Sequence, residues 1–444
     1  MRLLPRQEPV RTMRDLFVAF LVFGSLPFIL KRPFLGILML AGLGYMNPHR
    51  LCYGFMFGMP VVMIVALVTL IGMLASKEAK RMVWSREIWV LVIFVAWMGL
   101  TTTQAFYSGL AWLQYEKVIK IQILTIMTLL MLTSRDRVHL FIWAIVVSLG
   151  FYGVKGGIFT ILNGGVYRVQ GPLGSFIGGN NEIALAFVMT IPLMRYLHLQ
   201  EQNKLVKQGL AAMMFLTVIA TVGSQSRGAL VGLAVTGTIF WLKSRKKIGT
   251  ALFFGAAAVA AFSIMPAEYF ERMNTIKTYN EDASALGRIN AWWTAYNIAN
   301  DRVTGGGFET WHSSVFQRYA PDPGNTRDVH SIYFEVLGEH GWVGLVLFGT
   351  LLGLTWLKCS TVIRQSNKQP DKQWARDLAA MIQVSLVGYM SAGAFLGLAY
   401  FDYVYHLVAV VVVVHFLISA ETSSVPAGAA RPEALSLFGA LRRA

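Results

Sequence analysis

The amino-acid sequence predicts an all-α fold, a polytopic membrane helix bundle of about 12 transmembrane helices with a large, partly helical periplasmic loop. Composition is the first observation: 55% of the 444 residues are hydrophobic and only 14% are charged, whereas roughly a quarter of an ordinary soluble domain is charged. The second is that apolar stretches about 16 to 25 residues long recur between Phe17 and Ile418, and a bilayer-spanning helix needs roughly 20 such residues. Lipid is therefore the expected solvent for most of the chain.

The apolar stretches give the expected helices in chain order. Residues 15–46 read as two short segments interrupted by Lys31, Arg32 and Pro33, and the sequence leaves open whether they cross the membrane once or twice. The other expected helices have approximate bounds of 52–75, 87–104, 117–133, 138–162, 183–199, 207–222, 228–242, 249–265, 332–357, 376–398 and 403–421. Twelve crossings put the basic N-terminal residues Arg2, Arg6, Arg11 and Arg14 on the same side of the membrane as the basic loops, and thirteen do not.

Basic residues predict the orientation, because short loops rich in Lys and Arg stay in the cytoplasm. They cluster on alternate connections and in the tail, namely at Lys77, Lys80, Arg81 and Arg86, at Arg135 and Arg137, at Lys204 and Lys207, at Lys243, Arg245, Lys246 and Lys247, at Lys358, Arg364, Lys368, Lys372 and Arg376, and at Arg431, Arg442 and Arg443. The pattern predicts a multi-pass protein of a bacterial inner membrane, with the remaining connections in the periplasm.

The longest connection, residues 266–329, is expected in the periplasm because its acidic residues outnumber its basic ones. Within it, residues 288–300 are expected to form a helix with Ile289, Trp293 and Tyr296 on one face. A connection of this length in a compact structure is usually functional. The chain accordingly divides into transmembrane helices (1–265), a periplasmic loop carrying part of the active site (266–329), C-terminal transmembrane helices (330–421) and a cytoplasmic tail (422–444).

Composition and motifs disfavour several functions. The net charge is +16, but the basic residues lie in short loops and form no aromatic-lined groove, so no nucleic acid is expected as a partner. Cys52 and Cys359 are expected on opposite sides of the membrane, which excludes a disulfide between them. The chain contains no Asp-x-Asp or Asp-x-Glu pair, no P-loop and no dinucleotide-binding fingerprint. Neither a metal nor another cofactor is therefore expected.

Two arginines are candidates for binding an anionic substrate at the periplasmic face. Arg227 follows a small, polar turn, and Arg288 follows Gly287 at the start of a helix that carries Trp292. A guanidinium matches the geometry of phosphate oxygens, and two of them can neutralise a diphosphate without a metal. The alternatives are that Arg227 extends to lipid headgroups and that Arg288 is an ordinary solvated arginine.

His330 is the candidate base, at the point where the long connection re-enters the membrane. The ordinary histidine pKa of roughly 6.5 suits a group that accepts a proton from a hydroxyl at neutral pH. A capping or packing role is the alternative. Asp328, Glu335 or Glu339 could orient the ring, and sequence spacing does not choose among them.

The glycine-rich segment 163–181 supplies further candidates for substrate binding. Arg168 is a candidate for a third phosphate or sugar contact, Lys155 lies just inside the preceding helix, and Asn180 lies near the end of the segment. A flexible outward loop is the alternative reading of so many glycines. Trp292 and Tyr333, neighbours of Arg288 and His330 in the sequence, complete this set.

These motifs, in this order, resemble those of the O-antigen ligase and polymerase superfamily. They are Ser226-Arg227-Gly228 before a helix, Gly287-Arg288 before a tryptophan-bearing helix in a large periplasmic loop, His330-Ser331, and the run Gly-Glu-His-Gly-Trp-Val-Gly at 338–344. The resemblance covers most of residues 150–410. Within the superfamily, the chain is most similar to the O-antigen ligases, which join O-antigen to lipid A-core.

The resemblance implies an undecaprenyl-diphosphate-linked glycan as donor, a hydroxyl of a lipid A-core sugar as acceptor, and no metal or nucleotide. Arg227 and Arg288 would hold the diphosphate and stabilise the charge that grows on it as the glycosidic bond breaks. His330 would deprotonate or orient the acceptor hydroxyl. Because the sequence offers no obvious carboxylate nucleophile, direct displacement with inversion is expected.

Three alternatives remain open. An O-antigen polymerase would use the same donor with a lipid-linked glycan as acceptor, and a protein O-oligosaccharyltransferase would use a serine or threonine. A glycan-lipid flippase would explain the helices and arginines without any bond formation, but would favour charged residues through the membrane interior. The clustering of Arg227, Arg288 and His330 on one side favours an enzyme.

Overall fold

The computed structural model describes residues 8–244, 246–274 and 283–424, and every regular element within these ranges is a helix. The α-helices in chain order are α1 Glu8–Lys31, α2 Pro33–Tyr45, α3 Val61–Ala75, α4 Arg86–Thr103, α5 Ser108–Met131, α6 Arg135–Leu162, α7 Asn180–Gln200, α8 Lys204–Gly223, α9 Arg227–Lys243, α10 Lys247–Ile264, α11 Ala267–Asn274, α12 Ala283–Asp301, α13 Ser313–Tyr319, α14 Ile332–Gln365, α15 Gln373–Gly393 and α16 Asp402–Ser424. Among the described residues, 8 helices are long and apolar enough to cross a membrane. The prediction of an all-α polytopic membrane protein is confirmed, and the count of about twelve crossings stays a prediction.

The N-terminal stretch forms two helices, as the sequence indicated. Arg32 precedes α2 and Pro33 occupies its first turn, where the missing proline N–H costs no helical hydrogen bond. Helix α2 has 13 residues and is about 20 Å long, shorter than the roughly 30 Å apolar core of a bilayer. Its length therefore does not establish a separate crossing.

The apolar run at the end of α15 is not helical to residue 398, so the predicted bound was wrong. Helix α15 ends at Gly393, and residues 394–401 form an irregular connection to α16. Its backbone groups have partners elsewhere in the fold: the Tyr389 and Tyr405 hydroxyls donate to the Ala399 carbonyl at 3.3 and 2.9 Å, and Glu335 accepts from the Ala399 amide at 3.0 Å. Side chains thus replace helical hydrogen-bond partners.

Smaller differences concern other helix ends. Helix α3 begins at Val61, directly after Pro60, and not near residue 52. Helix α5 begins earlier than expected, at Ser108, and α14 runs to Gln365 with a kink at Gly341. Apolar composition alone does not locate these ends, because local turns and tertiary contacts decide where a helix stops.

Helices α7 and α16 lie at the centre of the bundle. In α7, 78% of the membrane-length window is buried, and in α16 the figure is 72%. Residues 403–414 of α16 are all buried, including the run of valines at 410–414. A helix that is apolar on all sides is stable only when other helices cover it. The peripheral helices α1 and α10, with 17% of their windows buried, provide lipid-facing surface.

Glycines on α6 allow close packing against α8. A Cβ at Gly153 would lie 2.2 Å from the Thr217 Oγ1, and one at Gly157 would lie 2.4 Å from the Leu216 carbonyl oxygen. Small residues at such contacts let two membrane helices approach closely. The contact fixes the end of α6 beside Gly223, the last residue of α8, where a Cβ would lie 2.0 Å from the Thr160 Oγ1.

The connections between helices gather at two ends of the bundle. One, here the basic end, holds connections 76–85, 132–134, 201–203, 244–246 and 366–372. The Arg81 amide donates there to the Leu130 carbonyl at 2.9 Å, and Gln200 donates to Asp377 at 3.3 Å. Of the basic residues assigned to the cytoplasm, Arg245 and the tail arginines Arg431, Arg442 and Arg443 lie outside the described residues.

The other end, here the site end, holds connections 46–60, 104–107, 163–179, 224–226 and 394–401, together with the described residues 265–274 and 283–331 of the long connection. At this end the Val169 amide donates to the Gly223 carbonyl at 3.1 Å, and the Phe106 amide donates to the Gly306 carbonyl at 2.8 Å. Cys52 belongs to the site end and Cys359 to the basic-end half of α14, and both are free and buried.

The described parts of the long connection 265–331 carry three helices. Helix α12 covers the expected helix 288–300, but the face bearing Trp293 and Tyr296 is exposed, at 52% and 40%. The buried face carries Ala291, Ala295 and Ile298 and packs on the start of α14. Helix spacing correctly grouped Trp293 and Tyr296 on one face of α12. That face is the exposed one, because the small residues of the opposite face allow closer packing on α14.

A kink in α14 attaches this connection to the bundle. Gly341 has φ +66° and ψ −172° within the helix, and a Cβ there would lie 2.2 Å from the Val303 carbonyl oxygen. Glu339 accepts hydrogen bonds from the Glu309 amide at 3.0 Å and the Tyr400 hydroxyl at 2.6 Å. The connection is therefore held by backbone and side-chain bonds close to where it enters the membrane helices.

Candidate functional site

The polar turn 224–226 joins α8 to α9 and is fixed from two sides. Gln225 has φ +56°, and its side-chain amide donates to the Gly165 carbonyl at 2.9 Å. The Asn180 side chain donates to the Ser224 carbonyl at 2.9 Å. The Ser226 hydroxyl accepts from the Ala229 amide at 3.3 Å as the N-cap of α9. Arg227, the first residue of α9, is therefore presented from a well-anchored turn.

An apolar groove begins one turn below Arg227. It lies between α9 and α10, has a cavity volume of about 710 Å³, and is lined on the α9 side by Leu230, Leu233, Ala234, Gly237, Thr238 and Trp241. Residues spaced three and four apart share a helix face, so Arg227 lies at the site-end limit of the same stripe. From Arg227 to Trp241 the stripe is about 21 Å long. Arg227 therefore lies at the site-end limit of a long apolar surface on α9.

Three aromatic rings bring together α9, α12, α14 and the connection 394–401 at the site end. The Trp292 indole stacks on Phe334, with centroids 5.0 Å apart and planes 7° from parallel, and lies 6.4 Å from the Phe395 ring. Trp292, Phe334 and Phe395 are called the aromatic cluster below. A Cβ at Gly228 would lie 2.9 Å from the Phe395 Cβ. The start of α9, with Arg227, therefore abuts this cluster.

Arg288 approaches the same cluster from α12. It is half-buried and precedes Trp292 by four residues, one helical turn, so the two side chains share a face. Gly287 beside it has no room for a side chain, since a Cβ would lie 2.4 Å from the Arg327 Cδ. Asn290 donates to the carbonyls of Asp322 and Asn325 at 2.8 and 3.1 Å and so holds the segment before His330 against α12.

His330 borders the cluster from the third side. The Trp292 indole N–H donates to the Val329 carbonyl at 2.9 Å, and His330 follows with φ +43°. Non-glycine residues rarely adopt this left-handed region, and such strain recurs at functional sites. The His330 Nδ1 lies 3.6 Å from the Asp328 Oδ2, and the His330 side chain is 34% exposed. The ring is therefore accessible from outside the bundle.

The carboxylates near His330 have different partners. Asp328 accepts the Val329 amide at 2.7 Å through its other oxygen. Glu335 accepts from the Ala399 amide. In Glu339, one carboxylate oxygen accepts from the Tyr400 hydroxyl and the other from the Glu309 amide. Among the three carboxylates that the sequence left open, Asp328 is the one that the structure brings to the ring.

The remaining candidate residues occupy two places. Lys155 and Arg168 line a separate cavity of about 250 Å³ at the site end, between α6 and segment 163–179. Arg168 also donates through Nε to the Gln225 side chain at 3.4 Å. Asn180 supports the polar turn, and the Tyr333 hydroxyl donates to the Met390 carbonyl at 3.0 Å. These contacts tie Asn180 and Tyr333 to the backbone around the site, and their roles in substrate binding stay predictions.

Sequence reasoning missed two residues next to the candidate site. Phe395 lies in a stretch expected to be helical, and only the contact between its connection and Gly228 reveals its position. Arg327, which is exposed, was counted only as a loop charge, yet its side chain lies against Gly287. A glycine directly before Arg288 was the one sequence signal of such a close approach.

One anchor in the long connection also affects titration. The Tyr319 hydroxyl donates to the Asp301 carboxylate at 2.5 Å, and Arg318 lies 3.5 Å from the same carboxylate oxygen. Burial, and then the hydrogen bond to Asp301, raise the pKa of the Tyr319 phenol. The phenol therefore keeps its proton and links α13 to the end of α12.

Taken together, the apolar helices and the polar site end define an all-α, multi-pass membrane protein in which candidate cationic residues lie beside an apolar groove. Residues 212–349, which include Arg227, Arg288 and His330, match the family profile described as O-Antigen ligase. This match supports the O-antigen ligase and polymerase superfamily and, broadly, an enzyme of the glycosyl-transfer type. It does not separate ligase from polymerase.

Other comparisons are less informative. Residues 13–202 match a profile described as a family of unknown function, DUF5935. No curated protein matches the chain. One similar solved chain comes from a structure described as "Structural coordination of polymerization and crosslinking by a peptidoglycan synthase complex", with 16% identity, a TM-score of 0.39, and coverage of 75% of this chain and 97% of that chain. A likeness of this size does not establish a shared activity.

Proposed function

We propose that the protein is an O-antigen ligase, which transfers a glycan from undecaprenyl diphosphate to a hydroxyl of a lipid A-core sugar at the periplasmic face of the inner membrane. The observation that carries this proposal is the meeting of Arg227, the helix bearing Arg288, and His330 around one aromatic cluster, at the head of an apolar groove. The match of this region to the O-antigen ligase family supports it.

The reaction divides among these residues. The acceptor oxygen attacks the anomeric carbon, the bond from that carbon to the diphosphate oxygen breaks, and undecaprenyl diphosphate leaves. Arg227 and Arg288 hold the diphosphate and stabilise the negative charge that develops on it. His330, with Nδ1 toward Asp328, accepts the acceptor's hydroxyl proton through Nε2. A single displacement inverts the anomeric centre.

The apolar groove favours a lipid-linked donor. A polyprenyl chain can lie against the α9 stripe while its diphosphate reaches Arg227, because both lie on one helix face. A water-soluble nucleotide sugar has no hydrocarbon chain that could contact such a surface. The same groove suits an O-antigen polymerase or a protein O-oligosaccharyltransferase equally well, since both take the same donor.

A transfer assay with three alternative acceptors separates the candidate functions. The purified protein is mixed with undecaprenyl-diphosphate-linked glycan and lipid A-core, a second donor molecule, or a serine-containing protein, and products are identified by mass. We expect glycan on lipid A-core only. Elongated lipid-linked glycan would identify a polymerase instead, and glycosylated protein an oligosaccharyltransferase. Transbilayer movement of the donor without any new bond would identify a flippase.

A further inference from the structure

A second cationic pocket lies at the site end, apart from the groove below Arg227. Its cavity of about 250 Å³ is lined by Tyr152, Lys155, Gly156 and Phe159 of α6, by residues 168–172, and by Leu51. The α6 residues recur at spacings of three and four, so one face of that helix forms the wall. The two cavities share no lining residue. This cationic pocket lies in the part of the chain matched only by a family of unknown function.

The pocket has positive charge but no carboxylate in its lining. Arg50 adds a third cation nearby, since a Cβ at Gly174 in the same segment would lie 3.7 Å from the Arg50 guanidinium. Within the described ranges, Lys155, Arg168 and Arg50 form no ion pair with an acidic side chain. Lys155 lies seven residues, about 10 Å, before the end of α6. A lysine at that depth in a membrane helix is costly unless an anion or the interface receives it.

The two connections that contribute to this pocket also carry exposed aromatic side chains. Tyr53 and Phe55, from the connection next to Leu51, are 66% and 53% exposed, and Tyr167 and Phe176, from the segment that contains Arg168, are 62% and 41% exposed. Aromatic side chains of this kind concentrate at the level of lipid headgroups. The pocket therefore opens where a membrane-bound molecule presents its polar part, which favours a glycolipid over a soluble anion.

The pocket also lies beside the donor site. Arg168 donates to Gln225, which is two residues before Arg227, so the polar turn 224–226 separates the two cationic regions. We propose that the cationic pocket binds a phosphate group of the acceptor glycolipid, while Arg227 and Arg288 bind the donor. This inference rests on the proposed function for the statement that the glycolipid is the acceptor. The shared chemistry, a phosphate at the membrane interface, is common to the acceptor, the donor and phospholipids.

Binding measurements on the full-length protein in phosphatidylcholine nanodiscs separate these sources. The probes are phosphorylated lipid A-core, the same lipid after phosphatase treatment, and undecaprenyl diphosphate. We expect the wild type to prefer the phosphorylated acceptor by about tenfold or more, the loss typical of a charge-assisted hydrogen bond. Lys155→Gln should abolish that preference and leave the Kd for undecaprenyl diphosphate unchanged, and Lys155→Arg should retain most of it.

Lys117→Gln is the matched control, because Lys117 is also an exposed lysine on a helix near the site end. Its ammonium donates to the Gln114 side chain at 3.2 Å and lines no part of the cationic pocket. Wild-type preference in Lys155→Gln would overturn the proposal. A selective loss of undecaprenyl diphosphate binding would assign the pocket to the donor instead, and competition by phosphatidylglycerol as strong as by the acceptor would assign it to bulk lipid. The phosphate preference can vanish in Lys155→Gln even if no glycan is transferred, which would support the pocket and contradict the proposed function.

Discussion

At the scale of single residues, two arginines on different helices approach one aromatic cluster. Arg227 begins α9 beside Phe395, and Arg288 lies one turn before Trp292 on α12. The backbone positions of both residues are set by the polar turn and by the packing of α12 on α14. Each should therefore be removable without unfolding the bundle, which makes their roles testable one at a time.

We expect Arg227→Ala and Arg288→Ala each to weaken donor use by about 1.5 to 3 kcal/mol, the value of a hydrogen bond to a charged group. Lysine at either position should restore only part of the lost donor use, since its side chain lacks the forked donors of a guanidinium. Steady-state transfer at varied donor concentration measures the effect. Arg318→Ala, an exposed arginine in the same connection, serves as control. Wild-type donor use in both alanine variants would mean that the diphosphate binds elsewhere.

His330→Ala should slow glycan transfer by roughly 10²- to 10⁴-fold, the usual cost of removing a positioned general base. Binding of undecaprenyl diphosphate should persist, because the arginines remain. Parallel measurements of donor binding and of single-turnover transfer separate the two effects. His312→Ala, a histidine of the same connection that packs on Tyr107, should transfer normally. Full activity of His330→Ala in a folded protein would remove the residue from the mechanism.

At the scale of elements, the kink in α14 is the feature on which the site's geometry depends. It allows the backbone amides of Gly306 and Gly307 to donate to the carbonyls of Gly338 and Glu339, at 2.8 and 2.9 Å. The long connection is thereby joined to the first turns of α14, close to His330. A straight helix at this point would remove the acceptors to which the connection is attached.

Gly341→Ala should destabilise the protein, because its φ of +66° with ψ of −172° is a conformation essentially restricted to glycine, which costs another residue about 1 to 3 kcal/mol. The new Cβ would also lie 2.2 Å from the Val303 carbonyl oxygen. Thermal unfolding in detergent, followed by the fraction remaining monodisperse, measures the loss. Gly349→Ala lies on the same helix with nothing within 4 Å of its Cβ and should behave like the wild type. Equal stability of the two variants would show that the kink does not depend on glycine.

At the scale of the whole molecule, the distribution of charge separates the two ends of the bundle. The basic end carries most of the loop lysines and arginines, and the site end carries the long connection and the candidate site. Loops rich in Lys and Arg favour the cytoplasm. The rule predicts that the basic end faces the cytoplasm, and this orientation would determine which compartment supplies the proposed acceptor.

Labelling with a membrane-impermeant thiol reagent in intact spheroplasts tests that orientation. We expect Ser313→Cys, exposed at the start of α13, to react, and Asn367→Cys, exposed at the basic end, to react only after permeabilisation. The native cysteines are buried and contribute little background. The opposite pattern would invert the topology and place the candidate site away from a periplasmic acceptor.

Local features of the sequence are enough to predict the class of fold and to name candidate residues for the site. Apolar stretches near the length of a bilayer determine an all-α membrane bundle, because unpaired backbone groups are too costly in lipid for most other spanning structures. Arg227, Arg288 and His330 could be named as candidates because charged or titratable groups beside membrane helices are costly and are usually functional. These are local properties, and a single sequence carries them.

The contacts that bring the candidate residues together could be found only from the tertiary structure. The non-helical connection 394–401, the stacking of Trp292 on Phe334, and the choice of Asp328 as the carboxylate nearest His330 depend on partners distant in the chain. The apolar run ending at residue 398 looked helical because hydropathy records burial and not hydrogen bonding. Its carbonyls accept from Tyr389 and Tyr405 instead, and that pairing exists only once the helices have packed.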